Sequence, residues 1–131
     1  MWSDRPRESA IWSDEEIEQK LKNYLTPRGP GGTFTWYADV YRALGLFPSL
    51  PESRAAMHGA LQKLDRERHA RGELPLCVLM REEREDEYAL TRRLLLELGY
   101  LEKGDDPGPV CTELRRKWMT WHTDGLEYLV L

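Results

Sequence analysis

Arg54, His58, Gln62 and Arg66 recur at steps of four residues. On an α-helix that spacing sets them in one row along a single face. Guanidinium, imidazole and amide groups in such a row can bind an anionic or polar ligand. Arg54 and His58 are spaced to approach a nucleic-acid groove, with Gln62, Lys63 and Arg66 near its backbone. The same row equally suits a solvated helix face, or contact with a protein partner. Met57, Ala60, Leu61 and Leu64 form the opposite, buried stripe.

Covalent and metal chemistry find less support. His58, His69 and His122 do not sit with Cys, Asp or Glu at a compact metal spacing. The acidic pairs Glu15 and Glu16, Glu82 and Glu83, and Asp105 and Asp106 fall in loops or at helix starts, where carboxylates favour solvent and the helix dipole. The glycines of Arg28 to Gly32 lack the Gly, Lys and Ser or Thr that complete a phosphate cradle. No Ser, His, Asp or Cys, His pattern is recognisable. A non-enzymatic protein is expected, with no metal and no small-molecule cofactor.

The elements that position the row follow from periodicity and capping. Ser13 and Glu16 frame a capping box, and Trp12 is placed to staple onto Ile17. That first helix carries Ile17, Leu21, Tyr24 and Leu25 on one stripe and ends before Pro27. Residues 28–32 read as a turn. Phe34 and Trp36 alternate as a short strand; Thr35 then caps a helix bearing Tyr37, Val40, Tyr41 and Leu44, stopped by Gly45. Ser49 and Glu52 mark a second capping box, opening a helix from about Leu50 to Arg71. From residue 65 its composition is nearly all polar, so its second half is expected to project over the surface.

Leu74 to Met80 reads as a buried strand, and Arg81 to Glu87 as a loop or short hairpin. A helix from Asp86 to Gly99 follows, with Ala89, Leu90, Leu94 and Leu98 inward. Pro109 is placed to start a final helix with Val110, Leu114, Trp118 and Trp121 on one side and Arg115, Arg116 and Lys117 largely on the other. Asp124 and Gly125 are expected to turn the chain into a terminal strand, Glu127 to Leu131.

The chain has 131 residues, 40% hydrophobic, with five Trp and six Tyr, enough to bury a core without disulfides. Cys77 and Cys111 suit reduced buried thiols in a cytoplasm. No run approaches the roughly 20 apolar residues of a membrane span. The net charge of −4 disfavours nucleic acid, yet residues 26–72 hold seven basic and four acidic side chains. A modestly basic patch therefore sits on an acidic molecule, which fits either DNA or a complementary protein.

Thr35 to Gly45, Ser53 to Ala60 and Leu74 to Met80, taken in order, resemble the DNA-binding half of O6-alkylguanine alkyltransferases and alkyltransferase-like proteins. The resemblance covers about residues 15–80 and implies a winged-helix order. Tyr37 to Tyr41 matches that family's Tyr-Gly-Glu-Ile-Ala type helix. Arg54 stands where the family's recognition helix places an arginine that enters the duplex. The sequence departs from the Pro-Cys-His-Arg signature: Met80 occupies the nucleophile position and Arg81 follows it. A thioether cannot become a thiolate, and Cys77, on the opposite face of a strand, is no substitute. Alkyl transfer is not expected.

Nearly the whole chain is also similar to a group of small uncharacterised bacterial proteins. The matching pieces are Thr35 to Gly45, Arg54 to Gly72, Pro75 to Met80, Tyr88 to Gly99 and Val110 to Trp121. Where that group has a Pro-Gly-rich hairpin, Arg81 to Glu87 leaves a short acidic wing. This likeness implies a fold and no activity.

The expected architecture is mainly α with a small β component. It is a winged-helix-like single domain over residues 11–131 with extra C-terminal helices, behind a flexible arm at residues 1–10 where Trp2 would mark a partner contact. The expected function is non-enzymatic, weakly sequence-selective DNA binding through Arg54, His58, Gln62, Lys63, Arg66 and Tyr37. The alternative is a protein-interaction module, an adaptor or inhibitor of phage-encoded or defence-related type. The partner is DNA or a protein, without a membrane, and the location cytoplasmic.

Overall fold

Ser13 opens the first helix, α1 (Asp14–Leu25), with the capping box foreseen in the sequence: Glu16 N–H donates to Ser13 Oγ at 3.1 Å, and Ser13 N–H donates to Glu16 Oε1 at 2.9 Å. The computed structural model describes residues 12–130, and the side chains of residues 12–120. The expected arm at residues 1–10 with its Trp2, the side chains of Trp121 and His122, and Leu131 lie outside those limits. Ile17, Leu21 and Leu25 bury one face of α1, which packs against α4 (Pro51–Ala70).

Residues 28–31 form a single helical turn, α2 (Arg28–Gly31), where a plain turn was expected. It packs on the last helix, α6 (Pro107–Val130). Gly29 permits that approach: a Cβ there would lie 2.4 Å from Trp118 Cε3. Trp118 is buried in turn, and its Nε1–H donates to Pro75 O at 2.9 Å.

Two short strands, β1 (Thr35–Trp36) and β2 (Met80–Arg81), pair in parallel, Thr35 beside Met80 and Trp36 beside Arg81. The pleat turns Thr35 and Met80 inward and leaves Trp36 and Arg81 outside. Between the strands run α3 (Tyr37–Ala43) and α4, the crossover that a parallel pair requires. Trp36, not Thr35, is the N-cap of α3, and it supplies no side-chain cap: the helix starts directly from the last strand residue. Ser49 does not cap α4 either: Leu50 is the N-cap and Pro51, whose nitrogen carries no proton, opens the helix.

The expected strand over Leu74 to Met80 is mostly a 3₁₀ turn, Cys77–Leu79. Asp65 on α4 explains the difference. Its carboxylate accepts from Leu76 N–H at 2.6 Å and Cys77 N–H at 3.1 Å, taking the donors that a sheet ladder would need. The polar second half of α4 is therefore partly internal. Asp65 is fully buried; half-buried Arg68 donates to Leu74 O and stacks 4.8 Å from the Trp118 ring.

After β2 no returning strand forms a hairpin wing among the described residues. Glu83 and Arg84 N–H instead donate to Glu87 Oε1, at 2.8 and 3.0 Å, and start α5 (Glu85–Glu97). The last helix begins at Pro107, two residues earlier than expected, and continues through Asp124 and Gly125 to Val130 in place of the expected terminal strand. One internal glycine costs about 1 kcal/mol, too little to end a helix already in progress. The result is a mainly helical molecule with a two-stranded parallel sheet and one core to which α1, α3, α4, α5 and α6 contribute, Tyr41, Met57, Leu61, Leu76, Leu94 and Leu114 among its members. Among the described residues no helix is long and apolar enough to cross a membrane.

Two stability measurements check this packing. Gly29→Ala should lower the unfolding free energy by about 1–3 kcal/mol in a urea titration, since the indole of Trp118 must shift. Burial pushes the Asp65 carboxyl up to about 6, against the two N–H bonds and the charge of Arg68. The native state therefore holds this proton more tightly than the unfolded chain does, so the contribution to stability is complete below about pH 4 and is lost as pH rises through about 6. Between pH 4 and 7 the stability difference between Asp65→Asn and wild type should move in the variant's favour by about 2–3 kcal/mol.

Candidate interaction site

The row at steps of four on α4 is not free: each of its groups has a neighbour within the molecule. His58, Gln62 and Arg66 meet α5, Arg66 while still exposed, and Arg54 meets the turn before α4. Arg54 Nη1 donates to Pro48 O at 2.7 Å, and Arg84 Nη1 reaches the same carbonyl at 3.2 Å. His58 Nε2 lies 3.8 Å from Asp86 Oδ2. Gln62 Nε2 donates to Glu97 Oε1 at 3.0 Å; Arg66 grips the same carboxylate with Nε and, at 3.1 Å, Nη2. Glu97 is accordingly held below the usual carboxylate range, chiefly by Arg66.

Lys63 and Tyr37 fall elsewhere. Lys63 Nζ sits 3.1 Å from Glu18 Oε1 on α1, which pushes its proton affinity up. Tyr37 is completely buried, its hydroxyl 3.1 Å from Thr91 Oγ1 on α5. The structure thus brings Arg54, His58, Gln62 and Arg66 to one seam and separates Lys63 and Tyr37 from it. The expected basic stripe does not extend through Arg42, paired with Asp39 at 3.0 Å, or Arg28, which lies over the Tyr24 ring and donates to Tyr24 O.

The junction where α3, α4 and α5 meet is not visible in the sequence. There the Tyr41 hydroxyl, His58 Nε2 and Asp86 Oδ2 are closed to solvent and have no hydrogen-bond partner. Burial lowers the proton affinity of His58, against the pull of Asp86, and raises that of Tyr41. Nothing in the spacing of residues 41, 58 and 86 joins them before the fold does. Cys77 was excluded as a nucleophile on the geometry of a strand that does not form; the physical ground is different. Its fully buried thiol is pushed up by burial and by the Asp65 carboxylate, so it keeps its proton. Cys77 and Cys111 are both free and buried.

Three large aromatic side chains remain exposed. Phe47 and Tyr88 are each 56% exposed, and Trp36 is 43% exposed. A chain of contacts runs between them: Trp36 lies beside Arg81 in the sheet, Arg84 reaches from the start of α5 to the carbonyl next to Phe47, and Tyr88 follows one helical turn later. Behind Tyr88 opens a cleft of about 500 Å³ between α5 and α6, lined by Glu82, Arg92, Asp106, Cys111 and Arg115 among others. Glu82 on its lining, and Glu83 and Glu85 next along the chain, have no ion-pair partner among the described residues.

The two tyrosines of α3 give a paired check on the polar accounting. Tyr37→Phe loses a buried hydrogen bond and strands Thr91, and should cost about 1–3 kcal/mol in thermal or urea unfolding. Tyr41→Phe removes an unpartnered hydroxyl and should be neutral or stabilising by about 1 kcal/mol.

No family model, no curated protein and no solved structure matches this chain.

Proposed function

We propose that the protein is a non-enzymatic interaction module that binds another protein through the face carrying Trp36, Phe47 and Tyr88. The observation that carries this is a contrast. The arginines of the α4 row already have partners within the molecule, Arg54 the Pro48 carbonyl and the exposed Arg66 the Glu97 carboxylate, while three aromatic side chains stand open. Exposed aromatics grouped on one side of a small protein favour a contact surface, since such residues supply most of the binding energy in protein interfaces. The unpaired carboxylates of Glu82, Glu83 and Glu85 beside them fit a partner surface that is apolar at its centre and basic at its rim.

A second reading, weakly sequence-selective DNA binding, draws on one specific observation: α3, a seven-residue connection and a 20-residue α4 follow one another as in a helix-turn-helix. Phosphates would then have to draw Arg54 and Arg66 away from Pro48 O and Glu97. The charge of the exposed loop opposes that reading.

Site-specific photo-cross-linking separates the two. A benzophenone side chain placed at Phe47 or at Tyr88 should capture the same protein from the native cell extract, and one placed at Arg71 should not. Trp36→Ser should reduce that capture by about tenfold, the loss of one well-packed anchor. Absence of a shared adduct, together with a DNA mobility shift that weakens with salt and is lost in the Arg54→Ala, Arg66→Ala double variant, would overturn the protein reading in favour of DNA.

A further inference from the structure

Tyr41 on α3, His58 on α4 and Asp86 in the first turn of α5 each leave one polar atom shut away from water without a partner. Native proteins rarely leave such atoms unsatisfied, and three at one helix junction mark a place where the packing is held in a costly state. His58 Nε2 and Asp86 Oδ2 stand 3.8 Å apart, too far for a hydrogen bond. The charges that face the imidazole come from two helices: Asp86 and Arg93 on α5, and Arg54 on its own α4. Around the Tyr41 hydroxyl lie Asp86, Glu87 and Arg84 of the α5 start, and again Arg54. Directly above, Arg54 and Arg84 share the Pro48 carbonyl and so tie the turn that carries Phe47 to both helices.

We propose that His58 is a proton-operated latch: neutral, it lets α3, α4 and α5 close on one another; protonated, it adds a cation beside Arg54 and Arg93 and loosens the α5 start together with the turn bearing Phe47. One carboxylate facing two guanidiniums does not neutralise a third, half-buried cation. The direction of titration agrees. Burial is the largest influence on His58, Arg93 and Arg54 add to it, and Asp86 opposes them, leaving the imidazole below its ordinary value. A histidine depressed in the closed state stabilises that state above its ordinary value, and the stabilisation is lost as pH falls through the depressed one. Any consequence for a partner, namely release on acidification, rests on the protein-interaction reading. The latch itself does not.

Hydrogen exchange on the free, full-length protein tests it. Rates are corrected for the chemical effect of pH and compared at pH 7.5 and 5.0. In wild type, protection of the Leu50 and Tyr88 amides, which donate to Phe47 O and Arg84 O, should fall by about tenfold on acidification, while that of Leu21 in α1 holds. His58→Gln, neutral at both pH values and checked for folding by circular dichroism, should abolish the fall. Both proteins share the Asp65 titration, so the comparison removes it. An equal fall in His58→Gln, no fall in wild type, or an imidazole that titrates by NMR at or above its ordinary value would overturn the latch. Any of these would leave the cross-linking result standing, and a failed cross-link would leave the latch standing.

Discussion

A single buried carboxylate sets the geometry of this chain. Asp65 sits three-quarters of the way along α4, without exposed surface, and holds the backbone of Leu76 and Cys77 with its two oxygens. Burial of the charge is expensive, and the raised proton affinity records that cost. What it secures is the position of the 3₁₀ turn, whose Cys77, Val78 and Leu79 are all buried, and hence the position of Met80 and Arg81 beside β1. A two-residue parallel ladder has too few hydrogen bonds to define its own register. The register is inherited from α4 through Asp65.

The same helix is used on every side. Its apolar stripe enters the core, Lys63 meets α1, and His58, Gln62 and Arg66 meet α5. Exposed pairs of this kind are each worth about 0–1 kcal/mol, so they orient more than they stabilise. Arg115, half-buried on α6, performs a comparable task from the other side: its guanidinium donates to Val78 O and stacks on Phe34. Side chains that look like surface charges in the sequence thus serve as internal ties.

This explains which parts of the fold were legible beforehand. Ser13, Glu16 and the Ile17, Leu21, Leu25 stripe specify α1 locally, and the apolar spacing of α3, α4 and α5 does the same for those helices. Local rules failed where a distant group took the backbone donors. Leu74 to Met80 is β-capable in isolation, yet Asp65, at least 11 residues upstream, withdraws its N–H groups. The wing was expected from a likeness, and Glu87 consumes the donors that would have extended it. The candidate site was legible in part. Spacing correctly put Arg54, His58, Gln62 and Arg66 on one face; it could not say that Asp86 and Glu97, more than 25 residues away, would be opposite them.

That last point also weighs on how the surface can be used. Affinity for nucleic acid comes from releasing counterions that free Lys and Arg replace on the phosphates. A cation already paired with a carboxylate must first give up that partner, so exchanging Glu97 for a phosphate at Arg66 gains little. The displaced Glu97 would moreover remain beside the phosphate it yielded to. An aromatic ring meets no such competition: Phe47 and Tyr88 face water, and burying either against a partner removes apolar surface with no internal bond to break. The energetics of the face as it stands therefore favour a partner that brings apolar and cationic groups to an acidic, aromatic surface over one that brings phosphates.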